Sequence, residues 1–160
     1  MDFELAYNNF FIIITGLDET LILVIISLSL GFIISIPFSI ARASSNKILS
    51  NSVYYYVFVI RGTPLLVQIY LIYFGLGTIP AVRESFLWIV LKEPFWCGVI
   101  ALVINTVAYT TEIFRGGIES VTKGQIESCK SLGMNKFTMY AKIILPCAFR
   151  QALPGYGNEM

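Results

Sequence analysis

Groups able to do chemistry are sparse in this chain, and they gather in two places. One is the apolar stretch 98–116, which carries Asn105, Tyr109 and Glu112. At 100° per helical residue these three fall within about 60° of one another, on the side that also carries Gly98, Ala101 and Gly116. Polar groups at bilayer depth face a protein interior or a watery route, and small residues let helices approach closely. That face therefore has two readings: the lining of a path for a polar solute, or helix packing with Glu112 paired to Arg115. The other place is the charged segment 124–146, GQIESCKSLGMNKFTMYAKIILP. Histidine is absent, which excludes histidine acid–base chemistry. No G-x-x-x-x-G-K-[ST] phosphate loop occurs, so this chain is not itself a P-loop ATPase. Cys97, Cys129 and Cys147 lack CxxC spacing and indicate neither a disulfide framework nor a metal site. With no paired acidic residues in one span either, an intramembrane enzyme has no catalytic set to draw on.

The elements that must position these groups are membrane helices. Hydrophobic residues make up 56% of the chain, charged residues 13%, and mean hydropathy is +0.75, far from the roughly one-quarter charged of soluble domains. A net charge of +1 argues against a nucleic-acid partner. Residues 1–20 carry Asp2, Glu4, Asp18 and Glu19 but no Lys or Arg. Their apolar run is too short to cross a bilayer, so an external, interfacial N-terminus is expected; it has neither the basic region nor the cleavage site of a signal peptide.

Residues 21–41 form the first span, free of charge up to residue 40 and about 30 Å long, with Pro37 expected to kink its end. Residues 54–79 hold the second. An arginine at mid-bilayer is costly, so Arg61 is placed at the headgroups, with the spanning part beginning near Pro64. Residues 80–94 are an outer loop with a short interfacial helix at Trp88. Residues 95–115 form the third span, 116–153 the charged segment, and 154–160 the start of another span, so the chain reads as truncated. Arg42, Lys47 and the six basic residues within 115–150 lie on one side, against Arg83 and Lys92 on the other. By the positive-inside rule the N-terminus is outside and the charged segment in the cytoplasm.

Within that segment, Thr122 followed three residues later by Gln125 has the form of a capping box and predicts a helix from Lys123. Gly133 supplies an αL stop, Asn135 can cap a second helix through Leu145, and Pro146 is expected to interrupt it. Two short helices joined at a glycine make a docking knuckle. The spacing of Glu127, Gly133, Ile143, Leu145 and Pro146 resembles the EAA loop of the membrane subunits of ATP-binding-cassette importers: E-A-A, three residues, G, nine residues, I-x-L-P. Ser128 and Cys129 replace the two alanines and are small enough to keep close packing. RGTPLLVQ at 61–68 is similar to the second-span signature of polar amino-acid permeases in that family, although snorkelling alone also accounts for Arg61. AYTTEIFRGG at 108–117 resembles the matching segment of permeases with differing substrates, which implies an architectural rather than specificity-determining Glu112.

The resemblance implies an all-α polytopic membrane protein, the transmembrane domain of a type I ABC importer, here a fragment with three spans and the coupling helices. It implies that Gly124, Gln125, Glu127, Ser128, Cys129, Leu132 and Gly133 couple to an ATPase. ATP and magnesium would be bound by that partner, with no cofactor and no covalent chemistry in this chain. The implied partners are ABC ATPase subunits, a second permease subunit, identical or different, an extracytoplasmic amino-acid-binding protein, and the lipid of a bacterial cytoplasmic membrane. The run 131–160 looks most like permeases for basic amino acids such as arginine or histidine, with Asn105, Tyr109 and Glu112 as the candidate substrate pathway. The alternatives are a permease of the same class for another solute and an ATP-independent channel or carrier, against which the EAA-like segment speaks.

Overall fold

The computed structural model describes residues 16–159 together with 10 and 14, and all regular structure among them is helical. The expectation for the remaining residues of 1–15 lies outside the described residues. Helices α1, Leu17–Arg42, and α6, Pro94–Glu119, are each 26 residues long and apolar enough to cross a membrane. Asp18 and Glu19 open α1 and Arg42 closes it, each charge complementing the helix dipole. Pro37 sits inside α1 without ending it. On the same helix the buried hydroxyls of Ser35 and Ser39 donate to the carbonyls of Phe32 and Ile36, both at 2.7 Å.

Helix α2, Lys47–Arg61, is capped by Asn46, whose side chain accepts from the N–H of Ile48 at 3.0 Å. Its end is over-determined. The Gly62 N–H donates back to Phe58 at 3.0 Å, and the Thr63 hydroxyl reaches the Val59 carbonyl at 3.1 Å. Pro64, next in the chain, keeps Thr63 out of helical conformation. The chain resumes as α3, Leu65–Tyr70, which passes through a π turn, Leu71–Gly75, and a 3-10 turn, Leu76–Thr78. The stretch 54–79 is thus not one helix; among the described residues a third crossing exists only if Lys47–Arg61 and Leu65–Thr78 are counted as one broken span. The following loop holds two single-turn helices, α4, Pro80–Arg83, and α5, Trp88–Leu91.

The residues fall into two compact units, Met1–Leu30 with Leu65–Val103 and Gly31–Pro64 with Ile104–Met160. In the first, the Arg83 guanidinium stands 5.6 Å from the Trp88 ring centroid. The indole also covers Gly77, where a Cβ would meet the ring at 3.5 Å. The buried Cys97 thiol donates to the Leu91 carbonyl at 3.2 Å, tying the start of α6 to α5.

The second unit holds the charged segment and the polar part of α6. The Tyr56 hydroxyl donates to the Ile104 carbonyl at 2.6 Å, and Val53 and Val57 of α2 are buried with Ala108 of α6. Phe114 packs edge-on to Phe32 with centroids 5.5 Å apart, and tilted against Phe149 at 4.8 Å. Helix α7, Lys123–Ser131, and the single turn α8, Lys136–Met139, lead through a π turn, Tyr140–Ile144, into α9, Leu145–Glu159. Pro146 therefore does not stop the helix as expected. The π turn explains why: Leu145 N–H donates to the Tyr140 carbonyl, five residues back, and this wider register precedes the position whose N–H is missing and whose ring would crowd the carbonyl four residues earlier.

Close helix approach also occurs one residue away from where it was expected. A Cβ on Gly116 would meet nothing within 4 Å, whereas one on Gly117 would lie 2.5 Å from the Ala148 carbonyl oxygen. One residue is a 100° rotation on a helix, so α9 lies on the Gly117 face. Gly31 is equally tight, its virtual Cβ 2.6 Å from Thr106 Cγ2.

Candidate functional site

The charged knuckle is closed at both ends by backbone hydrogen bonds. The Gln125 N–H donates to Thr122 Oγ1 at 3.4 Å while the Thr122 N–H donates to Gln125 Oε1 at 3.2 Å, a reciprocal capping box that fixes the start of α7. At the other end Gly133 has φ +72°, the one positive value among the described residues. Its N–H donates to the Lys130 carbonyl at 2.9 Å and the Met134 N–H to the Cys129 carbonyl at 3.1 Å. These are the two bonds of a Schellman motif. Met134 packs on the cluster that contains Cys129, the apolar contact that usually accompanies the motif. Asn135 Oδ1 then accepts from the Thr138 N–H at 2.8 Å and starts α8.

This bonding divides the knuckle into two faces. Cys129 is buried with Ile118, Val121, Met139, Ile144 and Ala148. Gly124, Gln125, Glu127, Ser128, Leu132 and Gly133 are exposed. Leu132 is 75% exposed and Phe137 82%, two large apolar side chains standing in the open beside Glu127 and Lys130. This face leaves two large apolar side chains uncovered among charged ones.

The intramembrane polar residues are only partly brought together. A cavity of about 370 Å³ is lined by Tyr54, Val57, Phe58, Arg61, Gly62, Tyr109 and Glu112. Asn105 is half-buried and is not among the lining residues, though it is not without a partner. The Arg61 guanidinium lies 4.8 Å from the Tyr109 ring centroid and has no carboxylate partner among the described residues. Glu112 is more heavily engaged. Its Oε2 accepts from Arg115 Nε at 2.7 Å, and Oε1 stands 3.3 Å from Arg42 Nε. The second contact is an ion pair without hydrogen-bond alignment, since neither of those two atoms has a hydrogen-bond partner. Arg115 Nη1 also donates to Glu119 at 2.6 Å, and the Arg42 guanidinium lies 5.0 Å from the Tyr54 ring.

Of the charged side chains only Arg61 and Glu112 line this cavity, and Arg61 has no carboxylate partner among the described residues. One cation and one anion facing a space of this size, between tyrosine and phenylalanine rings, can hold a small zwitterion: a carboxylate at Arg61 and an ammonium or guanidinium toward Glu112. Sequence reasoning missed Arg42, Tyr54 and Phe58. Arg42 reads along the chain as a topology-setting charge, and no local spacing connects it with Glu112. The aromatic run at 54–58 was the available signal for the wall. Among the described residues no group of three His, Cys, Asp or Glu side chains could hold a metal ion.

Residues 27–160 match the family described as binding-protein-dependent transport system inner membrane component. Across its whole length the chain is 47% identical to the nopaline transport system permease protein NocM of Agrobacterium fabrum, covering 67% of that protein. It is 43% identical to the histidine/lysine/arginine/ornithine transport system permease protein HisM of Escherichia coli K12, over 91% of this chain and 62% of HisM. Among solved structures it is similar to an amino acid ABC transporter crystallised with histidines, with a TM-score of 0.76 at 37% identity, over 99% of this chain and 70% of that one. The chain thus spans about two thirds of the length of these relatives.

Proposed function

Because the chain belongs to the family of binding-protein-dependent transport system inner membrane components, we propose that it is the permease subunit of a bacterial importer for basic amino acids, driven through its knuckle by separate ATPase chains. The observation that carries this reading is the knuckle itself. It is locked by a capping box and a Schellman motif, buried on one face through Cys129, and open on the other through Glu127, Leu132 and Phe137. A segment with its backbone bonds closed on themselves moves as a body, so an ATPase seated on the open face would transmit its closure to the spans as rigid-body rocking. ATP and magnesium belong to those ATPases and this chain holds no cofactor. A second permease subunit completes the pathway, and an extracytoplasmic binding protein delivers the solute. The excess of Lys and Arg in and around the knuckle supports a cytoplasmic placement in the bacterial inner membrane, with the N-terminus outside.

For the substrate, HisM, named for histidine, lysine, arginine and ornithine, supports a cationic amino acid. The 370 Å³ cavity supports the same class: Arg61 is free for an α-carboxylate, and Glu112 could exchange its unaligned contact with Arg42 for a side-chain cation. Tyr109 and Glu112 therefore remain in the proposed substrate pathway together with Arg61, while Asn105 has its place only if the route extends beyond this cavity.

The test is reconstitution of the full-length subunit with the ATPase and binding protein that co-purify with it. ATP-dependent uptake of labelled arginine or histidine into vesicles, with little uptake of glutamate, is the expected result. Uptake that proceeds without ATP would favour a channel or carrier and remove the coupling role.

A further inference from the structure

A second cavity, about 850 Å³, opens where the end of α1 and the turn at 43–46 meet α7, α8 and the π turn that follows. Its walls are of two kinds. Ile40, Ile126, Met139 and Ile144 are apolar lining residues, and Ser44, Ser45, Lys130 and Lys136 polar or cationic ones. No carboxylate lines it, and neither lysine has a salt-bridge partner among the described residues. Ser44 Oγ accepts from the Asn46 N–H at 3.2 Å, which leaves its own proton to donate. The volume is within the roughly 300–1,000 Å³ of small-ligand pockets.

Two unpaired ammonium groups with hydroxyls beside an apolar wall form an amphipathic anion site. A free inorganic anion has no use for the apolar side, whereas a lipid uses both. We propose that this cavity binds the phosphodiester headgroup of an anionic phospholipid, held by Lys130 and Lys136, with the apolar wall against the start of its acyl chains. The proposal rests on the cytoplasmic placement of the knuckle given above. On that placement α1 leaves the hydrocarbon at Arg42, so Ile40 and Ala43 lie at headgroup depth, where clustered lysines attract the anionic leaflet. The consequence is that the same helix, α7, would carry an ATPase-facing surface and one side of a lipid site.

The test is native mass spectrometry of the full-length subunit in complex with its ATPase, titrated with phosphatidylglycerol, phosphatidylcholine or inorganic phosphate. Phosphatidylglycerol should be retained over phosphatidylcholine. At about fivefold per lysine near an anionic surface, Lys130→Gln with Lys136→Gln should weaken its apparent affinity about 30-fold. Lys123→Gln, on the same helix but away from the cavity, should leave it unchanged. Ser45→Trp, which fills the cavity and removes no charge, should also lose the lipid. Equal retention of the two lipids, undiminished binding in the double variant and in Ser45→Trp, or displacement of the lipid by inorganic phosphate would each overturn the proposal. ATPase retention is read in the same spectra. Its loss in the parent would count against the coupling role, while a retained ATPase without lipid preference would count against the lipid site alone.

Discussion

Replacing Gly133 isolates the knuckle's backbone from its side chains. At φ +72° a non-glycine residue pays roughly 1–2 kcal/mol, and a β-branched one lies at the upper end. A Cβ there would meet nothing within 4 Å, so steric overlap adds nothing and the cost is conformational. The alternative is for residue 133 to relax to negative φ. That gives up the Gly133–Lys130 and Met134–Cys129 bonds of 2.9 and 3.1 Å, each worth about 1 kcal/mol net. Both routes cost about 2 kcal/mol for valine, about 30-fold in the population of the closed knuckle. Asparagine tolerates αL far better and should cost a fraction of that. The expected series for ATPase retained on a tagged, membrane-inserted subunit, and for uptake in vesicles, is Gly, then Asn, then Ala, then Val. Parent-like behaviour of Gly133→Val, or Gly133→Asn as damaging as Gly133→Val, would refute the argument that this turn must close for coupling.

Glycine position offers a second contrast: Gly117→Ala should lower thermal stability and assembly, by about 1–3 kcal/mol for overpacking against a backbone carbonyl, while Gly116→Ala should be silent by the same melting assay. For the cavity, Arg61→Gln should raise the substrate concentration for half-maximal uptake by about tenfold or more, as expected for a lost charge-assisted bond, at unchanged assembly. Tyr109→Leu should move it the same way through the lost ring contact, and Tyr109→Phe hardly at all; Asn105→Ala should leave it unmoved. For topology, in a background lacking Cys97, Cys129 and Cys147, single cysteines at Ser44 and Lys123 should be protected from an impermeant thiol reagent in intact cells, while one at Glu84 should label; labelling of Lys123 from outside would reverse the orientation.

The knuckle was legible because its determinants are local. A capping box needs only Thr122 and Gln125, an αL stop needs only Gly133, and each bond closes within a few residues. The two long apolar helices, Leu17–Arg42 and Pro94–Glu119, were legible in kind for a similar reason, since length and the scarcity of charge suffice, whereas the break in 54–79 was not. Pro146 was misjudged because the missing N–H and the ring clash disfavour a regular α turn there, and the sequence does not show that a π turn, whose Ile144 packs with Ile118 and Val121, takes up that position instead. The close approach at Gly117 rather than Gly116 was not legible because a helical wheel gives relative angles but not which angle faces a neighbour. Arg42 was invisible as a partner of Glu112 for the most general reason: their meeting depends on how α1 and α6 pack, and no spacing in the sequence encodes it.

The contact between Gly117 and Ala148 has a mechanical meaning. Where helices meet through side chains, as Phe114 does with Phe149, rotamer changes make the joint compliant, and a push on one helix is partly absorbed before it reaches the other. Here backbone rests on backbone, with no room for even a methyl group between them, so no side-chain rotamer can yield. On the proposed coupling role, a push on α9 from the knuckle would bear on α6 at this point. Glu112 lies five residues before Gly117 on α6, about 7.5 Å at 1.5 Å per residue. A tilt about that point that moved Glu112 by about 1 Å would part it from Arg42, whose 3.3 Å contact lacks a directed bond, sooner than from Arg115 on its own helix. A backbone-to-backbone contact thus stands five residues from the longest ion pair among the described residues.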